Sequence, residues 1–135
     1  MRTLLAFLLL LFCLAASAEW IKVDDARMAA AQKYIDPNDV KQTGPMAIMR
    51  QLWEITNLIE PDKDGAASIK ILAEYDCQNQ QYRILEQYRF TEAWAQGIQI
   101  ASPDAIQSAG PWSIITSTNA SAAVIDIVCP GGEGG

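Results

Sequence analysis

The sequence predicts a mainly β domain of the α+β class, and three observations carry that reading. From Ser68 to Cys77, SIKILAEYDC, the residues Ile69, Ile71, Ala73, Tyr75 and Cys77 share one side of an extended chain, while Ser68, Lys70, Glu74 and Asp76 share the other. Side chains alternate with period two along a strand, so this segment is a strand with one buried face, broken only at Leu72. Turn signals recur along the chain as DPND, QTGP, EPDKDG, SPD and AGP, each supplying the Pro, Gly, Asn or Asp that tight turns use. Near the C-terminus the alanine-rich TNASAAVIDIVC favours a helix capped by Thr118 or Asn119 over a strand aligning Ile125, Ile127 and Cys129.

The chain opens with MRTLLAFLLLLFCLAASA, in which Arg2 and the amino terminus precede an apolar run from Leu4 to Leu14 and a small-residue triplet, Ala16-Ser17-Ala18. That order is the pattern of a secretory signal peptide over residues 1–18. As a helix the apolar run spans only ~16 Å, short of a ~30 Å hydrocarbon core, so no transmembrane anchor is expected after cleavage. Cys13 invites a lipoprotein reading, but Phe12 stands where such signals carry a small residue. The expected mature chain begins at Glu19, with one domain over 19–130 and a flexible Gly-rich tail over 131–135.

Of the 135 residues, 16 are acidic, 10 are Lys or Arg and none is His, for a formal charge of −6. Losing Arg2 makes the mature chain one unit more negative. An acidic chain without a basic block is poorly suited to nucleic acid or anionic lipid. Export also bears on the cysteines: with Cys13 gone, Cys77 and Cys129 remain as an even pair in an oxidising compartment, where a disulfide is the default. A metal site would need further thiolate or imidazole ligands that the chain lacks.

EWIKV and MAIMRQLWEI read as strands. The second has Met46, Ile48 and Leu52 alternating with Met49, Trp53 and Ile55, a two-sided apolar character that predicts a central or covered position. ARMAAAQKYID between them is ambiguous between helix and strand. A four-residue loop between Cys77 and Tyr82 pairs Tyr75 with Ile84, Ile71 with Tyr88, Ile69 with Phe90 and Asp76 with Arg83, although Glu86 then spoils the apolar side.

Candidate chemistry is sparse. Glu60, Asp62, Asp64 and Gly65 occupy the first, third, fifth and sixth positions of a calcium-loop pattern, but the twelfth position, which should supply a bidentate glutamate, is Ile71; a solvated hairpin loop is the better reading. Glu74 and Asp76 share one strand face at roughly 6.5 Å, a spacing used by paired carboxylates, yet two acids on the solvent face of a strand are ordinary. Without histidine the commonest general base is missing, and no enzyme activity, cofactor or metal is expected. Of Trp20, Trp53, Trp94 and Trp112, most are expected in the core; Trp94, in the turn-rich TEAWAQG, is the one expected at the surface as a candidate binding residue.

In their order these features resemble the bacterial surface-adhesin protein E family: Trp20, YIDPNDV at 34–40, SIKILAEYDC at 68–77, Arg83 and Leu85, WSII from Trp112, and Cys129. The resemblance implies a single antiparallel sheet, here of about five to six strands, with a short C-terminal helix tied by the Cys77–Cys129 disulfide. It further implies Gram-negative export, to the periplasm, the outer membrane or the extracellular space, and partners among matrix and serum proteins such as laminin and vitronectin. The expected function is an adhesin-like protein-binding module; a periplasmic small-ligand or inhibitor-type binder is the alternative, to be distinguished by a pocket lined with Trp94 or Trp112.

Overall fold

The structure is a computed structural model that describes residues 18–25, 27–100 and 109–131. The leader with Cys13, the turn at 102–104 and the end of the Gly-rich tail lie outside the described residues.

The strands are β1 (Ile21–Val23), β2 (Ala31–Ile35), β3 (Lys41–Thr43), β4 (Met49–Leu58), β5 (Ser68–Asp76), β6 (Gln81–Glu92), β7 (Gln96–Ile100) and β8 (Ser113–Ile114), followed by helix α1 (Ser121–Val128). All pairings are antiparallel. Six strands form one path, β1-β2-β4-β5-β6-β7; the short β3 pairs with β4 and the short β8 with β6. The ambiguous segment is therefore partly strand: Ala31–Ile35 buries Lys33 and Ile35 on one face, so the period-two pattern in QKYI prevails over the helical preference of the alanines. Apolar residues at both parities suit β4 to its central place, flanked by β5 on one side and by β2 and β3 on the other. Its start corrects the expectation, because Met46 lies in a turn before the strand and is 88% exposed.

The β5–β6 hairpin also departs from the expected register. The four loop residues are Cys77–Gln80, one position earlier than read, so Tyr75 faces Tyr82 and Glu74 faces Arg83. The ladder then steps from Ala73↔Ile84 to Leu72↔Glu86, leaving Leu85 as an extra residue on β6. Such a bulge reverses the facing of everything beyond it. Tyr82 and Ile84 thus lie on the side of Tyr75 and Ala73, whereas Glu86 and Tyr88 turn to the other face. This removes the conflict that Glu86 posed for an unbroken register.

The core lies between one sheet face and α1. Val23, Ile35, Leu52, Ala73 and Tyr75 from the sheet meet Val124, Ile125 and Val128 from the helix, with Cys129 at its end. Burying each of the three helix side chains is worth roughly 1.5–3 kcal/mol. The helix is preceded by a turn in which Asn119 Oδ1 accepts from the Ser121 N–H at 2.8 Å; the cap position is Ala120, which has no side-chain cap bond, one residue after the expected Asn119. Cys77 and Cys129 are disulfide-bonded with their Cα atoms 5.6 Å apart, which pins the helix terminus to the end of β5. The tryptophans correct another expectation: none belongs to the core cluster. Trp20, Trp53 and Trp112 are half-buried and Trp94 is 41% exposed.

Candidate functional site

Alternation along β4 sends Arg50, Leu52 and Glu54 towards the core and Gln51, Trp53, Ile55 and Asn57 to the opposite face. The paired strands extend that second face with Gln32 and Tyr34 on β2, Lys70 and Leu72 on β5, and Glu86 and Tyr88 on β6. Most of the aromatic surface gathers there. The Tyr34 and Trp94 rings lie 4.4 Å apart at 48°, and Trp53 lies 6.2 Å from Tyr88 with the Lys70 ammonium 4.7 Å above its ring. Farther along β6 the Arg83 guanidinium stacks 4.5 Å from Trp112. Each arrangement falls in the range of favourable aromatic or cation–π contact. Tyr88 donates to Glu86 at 2.9 Å, and this bond to an acid holds its phenol above the ordinary range.

Trp94 is displayed by a built support. Between β6 and β7 the chain turns through Trp94 at φ 61° and Ala95 at φ 55°, left-handed conformations that cost non-glycine residues roughly 1–2 kcal/mol each. Three hydrogen bonds hold the turn. Trp94 N–H donates to Asn57 Oδ1 at 2.8 Å and Ala95 N–H donates to Ser68 Oγ at 3.0 Å. Ser68, fully buried, donates in turn to the Glu92 carbonyl at 2.6 Å. Gly97 follows at φ +78°, where an added Cβ would come within 2.5 Å of Thr91 Oγ1, so the exit from the turn requires glycine. The sequence flagged Trp94 but not its partners; the alternation of Gln32 and Tyr34 with Lys33 and Ile35 was the available signal for Tyr34.

The paired carboxylates are not on a solvent face. Glu74 is 5% exposed and Asp76 is 2% exposed, because side chains of β4 and β6 cover the first and the Cys77–Gln80 turn covers the second. Arg83 donates to Glu74 through Nε at 2.8 Å and Nη2 at 2.6 Å, and Gln51 adds a third bond at 2.6 Å. Arg83 therefore pairs with Glu74, not with Asp76. Asp76 accepts from the Gln78 and Asn79 N–H groups, both at 2.9 Å, and from the Asn79 amide at 2.8 Å, an arrangement in which the carboxylate ties its own turn. Burial opposes its charge, but the bonds from Asn79, Gln81 and Gln78 outweigh that and hold its carboxyl below the ordinary value. Both acids thus serve architecture.

In the loop before β5, Asp62 accepts from the N–H groups of Asp64 at 2.9 Å and Ala66 at 3.0 Å, and Arg89 bonds both Asp62 and Asp64. Ile71 of the failed calcium pattern is mid-strand in β5. Among the described residues no three acidic or thiol side chains converge as metal ligands, and no helix is long and apolar enough to cross a membrane. Among the described residues, clefts open beside β1, beside the disulfide, beside Tyr82 and Pro111 and beside Trp53, and neither Trp94 nor Trp112 is among the residues that line them.

A family model described as surface-adhesin protein E matches residues 20–130. The chain is similar in structure to Haemophilus influenzae protein E. Against its selenomethionine form the TM-score is 0.64 at 16% identity, covering 87% of this chain and 91% of that one. A second structure of the same protein gives 0.61 at 18% identity, over 84% and 85%. Protein E from a non-typeable strain gives 0.57 at 18% identity, over 87% and 80%. No curated protein matches the chain. At these identities the structural likeness speaks for the fold.

Proposed function

We propose that this chain, which belongs to the surface-adhesin protein E family, is an exported bacterial protein-binding module without chemistry of its own. It engages extracellular matrix or serum proteins through the non-core face of its sheet. The observation that carries this reading is Trp94, held 41% exposed on a left-handed turn against Tyr34. A rigid, half-exposed aromatic pair is what protein interfaces use as an anchor, since little side-chain freedom is lost on docking. The engagement of Glu74 and Asp76 by internal donors supports the non-catalytic part, and Trp94, exposed on the surface and not on the wall of a described cleft, favours a protein partner over a small ligand. In this account the leader is removed after Ala18, Cys13 leaves with it, and the exported protein begins at Glu19; its intact mass checks this, and an acylated Cys13 contradicts it.

The test is binding of the oxidised, folded domain to immobilised laminin and vitronectin. Saturable binding is expected, weaker at high salt because part of it is charge attraction by an acidic protein. Trp94→Ala should reduce affinity by on the order of tenfold or more, as truncation of an aromatic anchor does, without loss of fold. Absence of binding to any matrix or serum protein tested, or failure of an antibody to reach the protein on intact cells, contradicts the reading.

A further inference from the structure

Beside the Trp94 platform a cleft of ≈ 420 Å³ opens between β1, the turn after it and the end of β4, with Lys22, Asp24, Asp25, Met28, Gln32 and Ile59 among its walls. It is continuous with the platform: Tyr34 donates to Gln32 at 3.0 Å, and Gln32 pairs across the strands with Asn57, whose side chain holds the Trp94 N–H. The Asp25 side chain is 3% exposed. Its Oδ1 accepts from Arg27 N and Nε at 2.9 and 2.6 Å, whereas its Oδ2 has no hydrogen-bond partner among the described residues. A covered carboxylate oxygen without a donor is costly, and a donor brought by a partner would relieve that cost.

We propose that this cleft receives a lysine or arginine side chain from the partner protein, its charged end on Asp25 Oδ2 and its aliphatic stem along Met28 and Ile59, while neighbouring partner residues lie on Trp94. The free acceptor selects the occupant. Asp24, Asp25 and Lys22 line the cleft, and Arg27 meets Asp25 at Oδ1 and the Ser117 carbonyl at its other end, so Oδ2 is left as the acceptor for a cationic side chain. The whole chain is acidic, so a basic segment is also drawn to it from a distance. Ile59, 64% exposed, offers the apolar surface that a long basic side chain covers. The inference rests on the protein-binding reading above and names the chemistry of the partner.

The test titrates isotope-labelled, disulfide-intact protein with the peptide acetyl-Ala-Arg-Ala-Arg-Ala-amide, using the glutamine analogue as control, and follows backbone amide and indole resonances. The arginine peptide should shift Asp24, Asp25, Gln32, Ile59 and the Trp94 indole saturably, and the control should bind at least about tenfold more weakly. Asp25→Asn should abolish the difference between the peptides. Should that variant fold poorly, Asp24→Asn, at an exposed position, should still narrow the difference several-fold. Equal shifts from both peptides, or shifts spread over other acidic residues and indifferent to Asp24→Asn, overturn the inference while leaving matrix binding free to use another surface. If the peptide binds as described but Asp24→Asn and Asp25→Asn leave matrix-protein affinity unchanged, the proposed use of the cleft is overturned. A domain that takes the peptide and no matrix protein instead contradicts the functional reading.

Discussion

Glu54 is fully buried and holds two partners that keep it so. Lys33 Nζ lies 2.5 Å from Oε2, and Tyr75 donates to Oε1. Burial and the neighbouring Glu54 raise the Tyr75 phenol well above its ordinary range, so it remains a donor at any physiological pH. Removing one member of such a cluster strands a charge in the core. Lys33→Met should therefore destabilise by about 3–5 kcal/mol and Tyr75→Phe by about 1–3 kcal/mol, read from urea denaturation midpoints. Asp76 gives the pH dependence. Its pKa in the folded protein is depressed below 3.8, so its contribution is present above that value and disappears as pH falls through the folded pKa. Asp76→Ala should be less stable than the parent protein at pH 6, with the gap closing below about pH 4; a gap independent of pH would show that the carboxylate's charge is not what ties the turn.

At the scale of elements, α1 has eight residues, too short to persist alone, and is held by its core face and by the disulfide. Cys77 and Cys129 are 52 residues apart in sequence, for which loop entropy gives ~4 kcal/mol. Reduction should free the helix before the sheet: amide exchange over 121–128 should accelerate strongly while β4, β5 and β6 stay protected. Simultaneous loss of all protection would mean that the helix is not a separable element. The strands were legible where one face alternates, as in β5, and where both parities are apolar, as in β4. What was not legible has a common cause. The bulge at Leu85 is decided by which face Glu86 can tolerate, and the covering of Glu74 and Asp76 depends on Arg83, Gln51 and Asn79. Such partners become visible only once strands are paired. Tryptophan misled for a related reason: Trp53 and Trp112 shelter under Lys70 and Arg83 rather than in the core, because α1, the one helix among the described residues, covers the opposite face of the sheet.

For the whole molecule, that asymmetry separates stability from the proposed binding. One face of the sheet, with α1, carries the core; the other presents Tyr34, Trp94, Trp53 and Tyr88 beside an acidic cleft. The position of Trp94 in a turn-rich segment made its exposure legible in sequence. The cleft was not, because it joins Asp25 to Ile59 from distant parts of the chain. The claim that the non-core face is the working surface is tested most directly by an amide-exchange footprint of the oxidised domain bound to a matrix or serum protein. Protection is expected at the segments around Gln32–Tyr34, Asn57–Ile59 and Ala93–Ala95, with 121–128 unchanged. Protection confined to α1 and the Cys77–Cys129 end would contradict it.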